Sequence, residues 1–98
     1  MEITWLGAAG FMIKAGNTCF LTDPFVSRNP DARPVLTVSA DDLSDVRHIF
    51  ISHGHFDHIY DVPLIVSRSS SLVHCSMIVS HTLMKLGIPA KYIREINA

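Results

Sequence analysis

Residues 53–58 read HGHFDH, three histidines and an aspartate in six positions. Those residue types together bind metal ions. His53 and His55 are two apart, and on an extended segment that spacing turns both imidazoles to one side. Neutral imidazole nitrogens at about 2.0–2.1 Å suit zinc and similar divalent cations. Gly54 between them has no side chain, so the backbone can turn tightly around an ion. Asp57 and His58 follow where the chain turns toward a helix, and they point to another side of that turn. They can hold a second cation, Asp57 with a hard anionic oxygen and His58 with nitrogen. Imidazole and carboxylate together accept zinc foremost, with manganese or iron as alternatives. The other histidines, His48, His74 and His81, stand singly in strand-like or helical patterns and are read as ordinary packed or surface residues.

Such a cluster needs a scaffold. The chain opens with three short strand patterns, at residues 2–6, 11–15 and 19–22. Gly16-Asn17 forms a hairpin signal because both residues tolerate positive φ. This is an antiparallel meander, ended by Asp23-Pro24. Residues 24–34 carry three prolines with Asn29 and Asp31 and read as a loop. Phe25 and Arg28 are its candidate pocket contacts. Residues 35–38 read as a short strand or extended loop, and Ser39 with Asp41 and Asp42 as a helix start. Residues 46–52, VRHIFIS, are β-branched and apolar over most of their length, as expected for a strand buried on both faces. The histidine cluster follows at its carboxyl end. Helices are expected over 59–67, with Pro63 in the first turn, and over 77–86, closed by Gly87. Strands are expected at 72–75 and 91–96. The fold class is α/β (α+β), a meander followed by strand-helix units, in a single domain spanning 1–98.

The composition narrows the function. Hydrophobic residues make up 48% of the 98-residue chain and charged residues 17%. This is too apolar for a disordered segment. It is also rich for a small free-standing domain, whose large surface needs charge. Some apolar faces are therefore candidates for cover by further polypeptide. The formal net charge is −1, and the basic residues are scattered. Neither nucleic acid nor a membrane is expected as a partner. Cys19 and Cys75 sit in apolar, strand-like surroundings and are read as buried free thiols of a reducing compartment. The start MEITWLGAAG lacks a basic region and a long apolar core, and no apolar run approaches a membrane span. A cytoplasmic protein is expected.

HGHFDH resembles the H-x-H-x-D-H motif of the metallo-β-lactamase-fold hydrolase superfamily. The preceding ITWLGAAGFMIKAGNTCFLTDP is similar to that family's amino-terminal meander, with its glycine-bearing turn and a strand ending in aspartate. The "TWLG" opening, the "DP" after the third strand and the ISHGHFDH stretch look nearest to the ascorbate-6-phosphate lactonase-like group. The resemblance covers Glu2 to about Ile96 and implies the N-terminal half of a four-layer αβ/βα fold. It implies that His53 and His55 help bind a first metal, and Asp57 and His58 a second. Asp57 would also be catalytic, orienting the bridging hydroxide that attacks a substrate. Asp23 matches an acidic residue beside the site and supports the ligands rather than joining them. Two ions in such a site lower the pKa of a shared water and stabilise a developing oxyanion.

The family pattern also includes a third histidine for the first metal, a bridging aspartate and a late histidine. No aspartate follows Asp61 in this sequence, and neither His74 nor His81 fits. Glu95 is a poor substitute for the bridging carboxylate. The chain is thus expected to be one half of a site and one half of a fold. Two functions follow. One is a metal-dependent hydrolase of a small-molecule ester, lactone or phosphoester, this chain carrying the H-x-H-x-D-H half. The other is a non-catalytic metal-binding half-domain that self-associates through an uncovered sheet face. A nuclease is disfavoured by the near-neutral charge and the absence of a basic, aromatic-bearing surface.

Overall fold

The computed structural model describes residues 1–6, 10–24, 43, 45–52 and 59–96. Six strands form one mixed sheet in sequence order: β1 (Glu2–Trp5), β2 (Phe11–Ala15), β3 (Thr18–Thr22), β4 (His48–Phe50), β5 (Leu72–Cys75) and β6 (Ile93–Glu95). β1, β2 and β3 are antiparallel neighbours; β3, β4, β5 and β6 run parallel. The expected meander followed by strand-helix units is the observed order. The β2–β3 hairpin closes on Ala15 opposite Thr18. Of its two turn residues only Gly16 takes positive φ, at 60°, so one glycine suffices for the reversal. The expected elements at 35–38 and from Ser39, and the loop contacts Phe25 and Arg28, lie outside the described residues.

Among the described residues, two helices link the last three parallel strands. α1 (Val62–Ser69) carries Pro63 in its first turn, where a missing N–H costs nothing. It starts later than the sequence pattern suggests and ends at Ser70, which takes φ 56° and donates its N–H to Val66 O at 2.8 Å. α2 (Met77–Lys85) begins at Ser76, whose hydroxyl accepts from Val79 N. It ends at Gly87, φ 99°, whose N–H bonds Met84 O. The final strand is shorter than expected because Ala90–Tyr92 tighten into a 3-10 turn after Pro89.

The register puts Leu21, Ile49 and Val73 side by side on one sheet face. All three are fully buried, under Val62, Ile65 and Val66 of α1 and Val79 and Leu83 of α2. Buried Ser69 and Ser71 are satisfied at the carbonyls of Ile65 and Val46. Cys19 and Cys75 are buried free thiols, as expected.

The opposite face corrects one expectation. The segment 46–52 is not buried on both sides. Ile49 and Ile51 face the helices, whereas Phe50 is 39% exposed. Both helices lie on one face, so the alternate residues of every strand meet no covering layer among the described residues. Ile3 (59%), Trp5 (49%) and Phe11 (40%) are exposed on that same face. Ile13, Phe20 and Leu72 continue it, half-buried by their neighbours.

Ile49 packs at the centre of the covered face, so its truncation opens a cavity that the strands cannot close. Ile49→Ala is expected to destabilise the chain by about 2–5 kcal/mol, measured by urea unfolding. A comparable truncation on the open face, Ile3→Ala, is expected to cost far less.

Candidate functional site

The carboxyl ends of β3 and β4 lie side by side, with Thr22 opposite Phe50. Asp23 continues from β3 and donates its N–H to Phe50 O at 2.9 Å. Its buried carboxylate accepts two bonds from Ser52, the backbone N–H at 2.7 Å and the hydroxyl at 2.7 Å. Asp23 takes φ 41°, a left-handed conformation that aspartate tolerates better than most residues. Charge-assisted bonds of this length are strong and hold the strained turn in place. Ser52 directly precedes His53, so the cluster begins at a residue locked to the neighbouring strand.

Gly10 makes this approach possible. A Cβ there would lie 2.7 Å from Asp23 O and 3.3 Å from Pro24 Cα. Its own carbonyl accepts from Leu6 N at 2.8 Å. The β1–β2 connection is therefore pressed against the backbone that carries Asp23. On the far side, Ile59 and Asp61 are buried, and Asp61 O accepts from Ile65 N to start α1. Both stems of residues 53–58 are thus anchored in the core. His53, His55, Asp57 and His58 themselves lie outside the described residues.

Asp23 ends β3 and accepts both donors of Ser52; the ligands it is expected to support lie outside the described residues. Sequence reasoning missed Ser52 and Gly10. A small polar residue wedged between an apolar strand and the first histidine was the available signal for Ser52. For Gly10 the signal was a glycine closing the small-residue turn.

Among the described residues no group of three or more His, Cys, Asp or Glu side chains converges to hold a metal. His81 is exposed on α2. His74 lies on the open sheet face, 3.0 Å from His48 through their ring nitrogens. Glu95 accepts from Ser80 Oγ at 2.9 Å, and β6 lies two strands from β4, or roughly 10 Å away. Burial pushes the thiols of Cys19 and Cys75 above their ordinary range. Both stay protonated at neutral pH and poorly suited to bind metal. Burial also lowers the proton affinity of His74, with the charges of His48 and Arg94 adding to the effect.

The described residues form a mixed sheet with both helices on one face, and β4 leads through Ser52 into the sequence of the histidine cluster. Residues 3–86 match the metallo-beta-lactamase superfamily, and the chain belongs to it. A UPF0173 metal-dependent hydrolase of Methylacidiphilum infernorum is 35% identical over 90% of this chain and 37% of its own length. One from Carboxydothermus hydrogenoformans is 38% identical over 74% of this chain and 30% of its own. The chain spans about a third of the length of the curated relatives it matches. Among solved structures, Igni18, a metallo hydrolase from the archaeon Ignicoccus hospitalis, superposes with TM-score 0.75 at 19% identity. It covers 97% of this chain and 39% of that one. MIM-2 metallo-beta-lactamase gives a TM-score of 0.53 at 20% identity, over 84% and 31%. These two likenesses establish the fold alone.

Replacing Asp23 by alanine leaves the Ser52 N–H and hydroxyl without their acceptor. Asp23→Ala is expected to lower unfolding free energy by about 1–3 kcal/mol. Ser52→Ala removes one bond only and is expected to cost about 1 kcal/mol. Equal stability of all three proteins in urea would show that the clamp does not hold the segment.

Proposed function

We propose that this chain carries the H-x-H-x-D-H half of a binuclear metal-dependent hydrolase site. The observation that carries the reading is the clamp on the residue before the cluster: Ser52, held by Asp23, lies at the carboxyl ends of parallel strands, where open α/β sheets bind their ligands. The donor set fits divalent ions: two imidazoles on one side, then a carboxylate and an imidazole. His53 and His55 would hold the first ion, and Asp57 and His58 the second, with zinc foremost and manganese or iron as alternatives. Bound there, the ions would supply Lewis acidity and lower the pKa of an attacking water. Asp57 orients that water toward the substrate. Asp23 and Ser52 position the ligands and touch no substrate. The substrate is a small ester, lactone or phosphoester. The names of the relatives, metal-dependent hydrolases, support the class. The free thiols of Cys19 and Cys75 fit a reducing, cytoplasmic setting. No helix among the described residues is long and apolar enough to cross a membrane.

A second reading rests on the open sheet face. Ile3, Trp5, Phe11 and Phe50 are an apolar surface of the kind that a second layer buries. No aspartate follows Asp61 in this sequence, and on this reading a partner would supply the bridging carboxylate. On this reading the chain is a metal-binding half-domain that acts by pairing, with a second copy or a complementary half.

The two readings separate in one set of assays. With zinc or manganese added, the hydrolase reading predicts turnover of a lactone, a carboxylate ester or a phosphodiester. That turnover falls to background with chelator and in His55→Ala or Asp57→Asn. Metal binding without turnover, together with a dimer in sedimentation that Phe50→Asp dissociates, supports the half-domain instead.

A further inference from the structure

Buried carboxylates bracket the sequence of the cluster. Among the described residues the only buried acidic side chains are Asp23 and Asp61, at 8% and 2% exposure. Asp23 bonds the residue before the cluster, and both of its oxygens accept from Ser52. Asp61 lies three positions after the last histidine, at the start of α1. The hydrolase reading gives Asp61 no task. Resting on that reading, we propose that Asp61 is a positioning residue. Its carboxylate accepts the second ring N–H of a cluster histidine, and so fixes the tautomer and orientation in which that imidazole binds metal.

The first argument is the cost of burial. A carboxylate withdrawn from water is retained only where strong donors or cations meet it. Asp61 is buried in sequence between the core residues Ile59 and Val62, so its side chain is held in place by packing.

The second argument is that Asp61 does not do what an aspartate at a helix start ordinarily does. A capping aspartate takes extended backbone angles and accepts from the first turn of the helix. Asp61 has φ −88° and ψ −7°, which is helical, and its side chain makes no capping bond. Its backbone carbonyl serves the helix instead, accepting from Ile65 N at 3.0 Å. The basic residue of α1, Arg68, is exposed in the last turn, roughly 10 Å along the axis.

The third argument is the chemistry next door. A histidine that binds an ion through one ring nitrogen carries a proton on the other. That N–H takes a carboxylate, a carbonyl or water as its acceptor, and the partner raises the basicity of the ligand. A buried carboxylate three residues from His58 meets this requirement, and the nearby positive charge offsets the cost of its burial.

The test uses the full chain. Zinc(II) affinity is measured by competition with a chromophoric chelator, and ligand geometry by the absorption of bound cobalt(II). Asp61→Asn keeps the size of the side chain, and asparagine is well suited to a helix start, so a purely structural role survives it. The expected result is a loss of zinc affinity of about 10–100-fold, a shifted cobalt(II) spectrum and an unchanged urea midpoint. His81→Gln should change none of these. Affinity and spectrum both unmoved by Asp61→Asn overturn the proposal. If that variant does not fold, the zinc-loaded unaltered chain is examined by NMR. A slowly exchanging imidazole N–H of His53, His55 or His58, close to the Asp61 β-protons, is expected, and its absence overturns the proposal. The two failures are distinct. Zinc binding no tighter in the unaltered chain than in His53→Ala/His55→Ala overturns the metal reading and this inference with it. Tight binding that ignores Asp61→Asn overturns this inference alone.

Discussion

The site depends on one carboxylate. Asp23 ends β3 in a left-handed turn and takes both donors of Ser52 at the exit of β4. Two parallel strands are thereby joined at their carboxyl ends, at the point where the histidine cluster begins. Parallel strands present their chain ends on one edge of the sheet, which is why this edge gathers functional residues. The same clamp explains Gly10. Asp23 can occupy its position only because the β1–β2 connection has no side chain there. The meander, which carries none of the proposed metal ligands, fixes Ser52, the residue before the first of them.

The second organising feature is the asymmetry of the sheet. One face is closed by α1 and α2 over Leu21, Ile49 and Val73. The other shows Trp5, Phe11 and Phe50 to solvent around a histidine pair. The open face thus accounts for part of the high hydrophobic fraction. The chain covers about a third of the length of its curated relatives. A hydrolytic site assembled from two halves would need that face covered and its ligands completed together.

Much of this was legible in the sequence. The meander was visible from its short strand patterns and from Gly16-Asn17, and α2 from the pattern closed by Gly87. The cluster at 53–58 was legible because ligand chemistry requires particular residue types. The burial of β4 was misread: VRHIFIS is β-branched and apolar over most of its length, and composition alone cannot tell a covered face from one awaiting cover. The Asp23–Ser52 clamp was only half legible, because a bond between residues 29 apart depends on strand order. The His48–His74 pair was hidden for the same reason. Each looked solitary until β4 and β5 became neighbours.

The central claim is that His53, His55, Asp57 and His58 hold metal. The most direct measurement is the zinc, manganese and iron content per chain, by elemental mass spectrometry, on protein prepared without chelator or a metal-affinity column. It is compared with the His53→Ala/His55→Ala variant prepared in parallel. One or two ions per chain, reduced in the variant, is the predicted result. A content far below one ion per chain, or one unchanged by the substitutions, would contradict it.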